Sequence, residues 1–291
     1  MKNLILAIMS GWMVVSTGCR GTGKVVPFNP SAVLEPSTIK DLSEGGVAIC
    51  ADGARLLVLT ASGTRLLTVD SNFNQMETIP LNRRLVAPRG IGADRYYIYL
   101  YDDNVLYRMA KDKLTMQELL GNVRVAGLAN YAPGEVLVSE GERQFVLLKT
   151  LFGESRVFLD KVDVPQPGAM TNFPNGVWGI LSAGDRLVKV NRAGIVVGTA
   201  KLMPGVDILA ADKWGRAVVL KRGEPVVWVE ENGKFNGYGL SGAKMPTGCA
   251  VLDGQIVILD NGNRLISYRL PAITRTGGNE AEHENGLFPG R

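Results

Sequence analysis

The sequence holds a single histidine, His283, and places it in a polar, glycine-rich stretch near the C-terminal end. A Ser-His-Asp triad needs a positioned imidazole base, and an aperiodic stretch is a poor place to hold one. One histidine and three cysteines are also too few for a transition-metal cage, which draws several such ligands from short spacings. No P-loop, dinucleotide fingerprint or nucleophile elbow occurs. Charge of one sign is not concentrated anywhere: 32 Lys and Arg are scattered among 28 Asp and Glu, so no basic stripe exists for nucleic acid. Helical periodicity is nearly missing, and Asp112 to Leu120, the one stretch that could form a helix, reads as turn and strand. No apolar run reaches the roughly 20 residues that a membrane-crossing helix needs. These absences set four expectations: the chain is not an enzyme, holds no metal, uses no cofactor and has no nucleic-acid partner.

The longest uncharged apolar run opens the chain. Lys2 supplies a positive start, Leu4 to Val15 carries no charge, and Ser16-Thr17-Gly18-Cys19 follows. This is the length of a signal-peptide core, which stands apart from the fold. Small residues ahead of a cysteine resemble the lipobox of bacterial lipoproteins; Gly18 and Thr17 match, and Ser16 stands where leucine is usual. The resemblance implies a signal peptide over 1–18, cleavage before Cys19, and lipidation of Cys19 with two or three acyl chains such as palmitate. Two or more chains anchor durably, at about 0.8 kcal/mol per buried methylene. Arg20, not aspartate, follows Cys19, and the same resemblance then implies the outer membrane of the cell envelope, facing the periplasm.

From residue 45 onward the chain restarts six times at intervals of roughly 40 residues, the range of repeat architectures. The openings lie near Gly46, Gly90, Gly127, Gly168, Gly205 and Gly248. Each leads into a short strand of small apolar residues, a turn, and a strongly β-prone strand such as Arg55 to Thr60, Tyr96 to Tyr101 or Gln255 to Leu259. Several of these second strands are almost wholly apolar, as strands covered on both faces should be. A tight polar turn then precedes a third strand: Ser62-Gly63-Thr64-Arg65, Ala183-Gly184-Asp185-Arg186 and Asn261-Gly262-Asn263-Arg264. Glycine beside Asn, Asp or Ser supplies the positive φ of such hairpins.

Six units of three or four antiparallel strands predict an all-β fold, a six-bladed β-propeller. The segment from Ile256 to Tyr268, with its strand, Asp260, Asn-Gly turn, Asn263-Arg264 and following apolar strand, resembles the NHL repeat. That resemblance speaks for fold rather than activity. The last unit stops after three strands near Leu270, so a strand from the other end should complete it; Val25-Val26-Pro27-Phe28 is the candidate. The expected organisation is a lipidated tether over 19–24, the propeller over 25–275 and a disordered tail over 276–291.

Candidate site residues are few. A calcium-dependent, lactonase-like hydrolase would place oxygen ligands on the propeller axis. Asn130 and Asp207, with Asn172 and Asp253 slightly later, are the polar residues near those positions, too few and too scattered to expect a cage. Arg65, Arg186 and Arg264 recur at one register and are expected to serve the blades, not a ligand. Tyr96, Tyr97, Tyr99 and Tyr101 could offer a glycan-stacking face, with two of the four packing between blades. Cys50 and Cys249 lie in apolar strand patterns and are expected as buried free thiols, although an exported protein could pair them. By elimination, the expected function is a membrane-anchored, non-catalytic lipoprotein that binds an envelope protein as scaffold or subunit. The alternatives are a glycan or small-ligand binder and the calcium-dependent hydrolase.

Overall fold

The strand Arg55–Thr60 shows why the second strands lack polar alternation. Successive side chains of a strand point to opposite faces, and here both faces are covered. Leu56 and Val58 pack with Ala250, Val257 and Leu259 on one side. Leu57 and Leu59 pack with Ile98 and Leu100 on the other. A strand inserted between two sheets must be apolar at every position.

The computed structural model describes residue 30 and residues 32–141, 144–160, 162–231 and 233–272. Six antiparallel sheets follow one another along the chain, as the sequence predicts: residues 46–80, 90–121, 125–159, 167–201, 208–240 and 246–269. The first strand of each blade is innermost. These inner strands, Gly46–Asp52, Gly90–Ala93, Val125–Ala132, Pro167–Phe173, Ile208–Ala211 and Pro246–Leu252, each touch the next, and the last touches the first. Six hydrophobic clusters fill the spaces between neighbouring blades, one for each interface. Stability is therefore distributed around the ring as nearest-neighbour terms, with each fully buried Leu, Ile or Val contributing about 1.5–3 kcal/mol.

The tight turn of the repeat does more than reverse the chain. Gly63, Gly184 and Gly262 all adopt positive φ, between 66° and 69°. Each presents its carbonyl to the start of the following blade: Gly63 to the Leu85 amide, Gly184 to the Gly205 and Val206 amides, and Gly262 to the Gly46 amide. The repeated glycine thus links blade to blade. Gly205, read from sequence as a strand opening, instead lies in the connector at φ 84°, and the strand begins at Ile208. Asp112 to Leu120 is a turn followed by the strand Met116–Gly121, as expected.

The last blade has three strands of its own and borrows its fourth. Pro36–Asp41 pairs antiparallel with Arg264–Arg269, setting Thr38 opposite Ser267 and Lys40 opposite Leu265. Just before it, Ala32–Leu34 adds a fifth, parallel strand to the fifth blade along Tyr238 to Leu240. The sequence named Val25 to Phe28 for this role. Those residues lie outside the described ones, and the edge assigned to them is occupied by Pro36–Asp41. The outermost strand of a blade is largely exposed, so Ser37, Thr38 and Lys40 suit it and no apolar run marks it. Cys19, the leader and His283 also lie outside the described residues. Among those described, no helix is long and apolar enough to cross a membrane.

Candidate functional site

The six inner strands enclose an axial channel whose walls are mostly Ala, Gly, Ile and Leu. One mouth, at the C-terminal ends of these strands, forms a cavity of about 290 Å³ that includes Asn130, Thr171 and Asn172. Here the asparagines tie blades together. The Asn130 amide donates to Asn172 Oδ1 at 2.9 Å, and Asn172 Nδ2 donates to the Asn130 carbonyl at 2.6 Å. Asn130 Nδ2 donates to the Ala93 carbonyl at 2.6 Å, and Trp178 Nε1 donates to the Asn130 carbonyl at 2.7 Å. Second, third and fourth blades are thereby stapled.

The other axial oxygens lie elsewhere. Asp207 sits at the opposite mouth, where it accepts from the Arg222 amide at 2.8 Å and from Arg222 Nε at 3.1 Å. Asp253 occupies a hairpin turn at φ 48°. The four candidate oxygens do not converge. Among the described residues, no group of three or more His, Cys, Asp or Glu is placed to hold a metal ion.

The recurrent arginines pair locally. Arg65 reaches Glu44 at 3.5 Å and Arg186 reaches Asp185 at 3.5 Å. Arg264 donates to Asp260 at 2.5 Å and to the Gly242 carbonyl in the preceding connector at 3.3 Å. Asp260 is fully buried and also accepts the amides of Lys244 and Met245. Burial pushes its carboxyl up, but those amides and the Arg264 guanidinium outweigh burial and hold it below the usual range. Cys50 and Cys249 are free thiols turned toward different interfaces; Cys249 is buried with Ile208 and Ile256 as expected, whereas Cys50, packed with Leu57 and Ile98, is only half-buried because it also borders the axial channel. Burial pushes both thiols up to about 12, with Asp52 adding to the effect at Cys50, so neither is an activated nucleophile.

The tyrosines do not form a ladder. Tyr99 is buried and donates to Asp94 Oδ2 at 2.7 Å. Burial, then that bond, push its phenol far up. Tyr97, Tyr99 and Tyr101 share one strand face and pack on the interface between second and third blades, so three of the four are committed there, where two were expected. Arg108 covers the Tyr97 ring at 4.9 Å, and Arg95 lies 5.4 Å from that of Tyr96.

Sequence reasoning missed a set of turn residues. In every blade the hairpins between first and second strands, and between third and fourth, lie at the same end, because the strands alternate in direction. On that face four consecutive blades carry large exposed apolar residues at their turns, most prominently Tyr96 at 51%, Phe152 at 90%, Ile195 at 60% and Trp214 at 55%. Cations accompany them, with Arg95 beside Tyr96 and Lys213 4.7 Å from the Trp214 ring. The matching turns of the first and last blades carry Ser71-Asn72 and Asp253-Gly254. The signal was available as bulky residues flanking turn glycines, in Phe152-Gly153, Gly194-Ile195 and Trp214-Gly215.

No protein-family model and no curated protein matches this chain. Solved structures do. Virginiamycin B lyase from Staphylococcus aureus is similar with a TM-score of 0.60 and 11% identity, over 80% of this chain and 99% of that one. A chain of the nidogen/laminin complex is similar with a TM-score of 0.59 and 13% identity, over 70% of this chain and 84% of that one. YCF48 bound to a D1 peptide is similar with a TM-score of 0.51 and 14% identity, over 80% and 79%. At such identities the likeness shows the fold alone. It nevertheless overturns the expectation, drawn from missing motifs, that the chain is not an enzyme, because the lyase is one. A propeller can assemble a site from side chains on several blades, which leaves no contiguous motif to read. A variant of that lyase with one histidine changed to alanine is described as catalytically inactive. The only histidine here, His283, is outside the described residues. This chain is a six-bladed β-propeller of a fold shared by enzymes and by propellers that bind protein partners.

Proposed function

We propose that this protein is held at the outer membrane by lipid on Cys19 and binds an envelope protein through the face that carries Tyr96, Phe152, Ile195 and Trp214. The observation that carries the reading is the exposure of those four tips on one side of four successive blades. Clustered exposed apolar residues mark interaction surfaces, and aromatic anchors with neighbouring cations match the composition of interface centres. Two propellers of similar fold come from the nidogen/laminin complex and from a complex with a D1 peptide, which is consistent with a protein partner. The anchor rests on the Thr17-Gly18-Cys19 resemblance, which implies that the cysteine becomes the first residue of the mature chain.

The reading is tested by co-purification from envelopes solubilised in mild detergent. A stoichiometric envelope protein should accompany the parent chain and be lost from the double variant Phe152→Ser, Trp214→Ser. Recovery of the same partner with both tips removed, or recovery of the chain alone, would contradict it. Labelled palmitate should appear on the parent and be absent from Cys19→Ser.

A further inference from the structure

The channel mouth opposite the asparagines breaks the repeat. Where the second strand ends beside the start of the inner strand, five blades place Thr60, Glu140, Ser182, Leu220 and Asp260. The second blade places Tyr101 there, paired with Gly90. A Cβ on Gly90 would fall 1.9 Å from the Tyr101 ring, so the ring lies across the glycine and lines the mouth. Arg89, from the same blade, and Arg222, from the fifth, line it too. Second and fifth blades stand opposite one another in a ring of six, so the two arginines bracket the opening. Both act on the same phenol: burial raises the Tyr101 hydroxyl above its ordinary value, and the charges of Arg222 and Arg89 offset only part of that rise.

Each guanidinium is steered by one carboxylate. Arg89 Nε donates to Asp103, and Arg222 Nε donates to Asp207 at 3.1 Å while its Nη1 donates to the Thr247 carbonyl at 2.9 Å. Arg222 Nη2 and both Nη atoms of Arg89 have no protein acceptor among the described residues. These are the atoms with which arginine grips a carboxylate or phosphate. The cavity is about 170 Å³, well below the roughly 300–1,000 Å³ of pockets that enclose drug-sized ligands. It suits a group of a few heavy atoms.

We propose that this mouth binds a small oxyanion, a carboxylate or phosphate group, held between Arg89 and Arg222 with the Tyr101 hydroxyl donating a third hydrogen bond. The group is either a free small anion or an acidic side chain on a partner. Residues that repeat serve the blade, whereas Arg89, Tyr101 and Arg222 line this one mouth of the channel from two opposite blades. The site is independent of the apolar tips, which lie on the other face.

The test is calorimetric titration of the full chain, at low salt, with inorganic phosphate, with succinate and with a short aspartate-rich peptide. Saturable binding of at least one is expected, weakened about tenfold or more by Arg89→Gln and by Arg222→Gln, as loss of a charge-assisted fork requires. Tyr101→Phe should weaken it less, and Lys213→Gln on the far face should leave it unchanged. Binding of phosphate or succinate assigns the site to a free anion; binding of the peptide alone assigns it to a protein side chain. The proposal is overturned if none of the three binds, or if both arginine variants, folded by near-ultraviolet circular dichroism, bind as tightly as the parent.

Discussion

The Gly46 amide donates to the Gly262 carbonyl at 2.5 Å, joining the first residue of the first blade to the hairpin of the last. Four residues upstream of Gly46 along the same seam, the Leu42 amide donates to the Asn263 carbonyl at 2.9 Å. The ring closes here twice over, by these turn contacts and by the borrowed strand Pro36–Asp41.

The seam makes Gly262 costly to replace. It sits at φ 69°, and an added Cβ would lie 2.8 Å from the Gly46 carbonyl oxygen. Gly262→Ala should therefore destabilise by about 2–4 kcal/mol, combining left-handed strain with a weakened closing bond. Gly254, at φ 76° with nothing near its Cβ position, is the control; Gly254→Ala should cost about 1 kcal/mol from strain alone. Urea denaturation of the two variants separates the contributions.

The borrowed strand predicts a sharp difference between two truncations. Removing residues 1–29 leaves Ala32–Leu34 and Pro36–Asp41 in place. Removing residues 1–44 exposes the edge of Arg264–Arg269, and bare edges invite pairing with other chains. The shorter truncation should keep the parent melting temperature and the parent's elution volume in gel filtration. The longer one should melt lower and associate.

Acid should loosen the last blade through Asp260. Its carboxyl is held below the ordinary value of 3.8, so the folded state binds its proton less readily than the unfolded one. The stability it contributes is present above about pH 4 and is lost as pH falls through the lowered folded value. Asp260→Asn should lower stability at pH 7 by about 2–4 kcal/mol, since Arg264 loses its buried partner. The same variant should flatten the decline in stability below pH 4. Denaturation curves collected between pH 3 and 7 measure both effects.

The fold was legible because the repeat repeats what matters. Second strands such as Arg55–Thr60 are apolar throughout since both faces are covered, and turn glycines such as Gly63 and Gly262 recur because their carbonyls latch the next blade. The closing strand was not legible, because Ser37, Thr38 and Lys40 lie at an exposed edge and carry no pattern. Sites fared worse for a related reason. The axial polar residues Asn130 and Asn172 are a structural staple that sequence could not tell from ligands. Arg89 and Arg222 are 133 positions apart in the chain, and only the closed ring brings them to one mouth. The tips Phe152 and Trp214 were hidden in turns, where bulky residues interrupt an otherwise polar composition.

Site-specific photocrosslinking in cells addresses the partner-binding face most directly. A benzophenone-bearing analogue placed at Phe152, and separately at Trp214, should yield one discrete adduct with the same envelope protein. The same analogue at Val86, which is exposed on the opposite face, should yield none. Equal crosslinking from all three positions, or no adduct from Phe152 and Trp214, would contradict the assignment of that face to a protein partner.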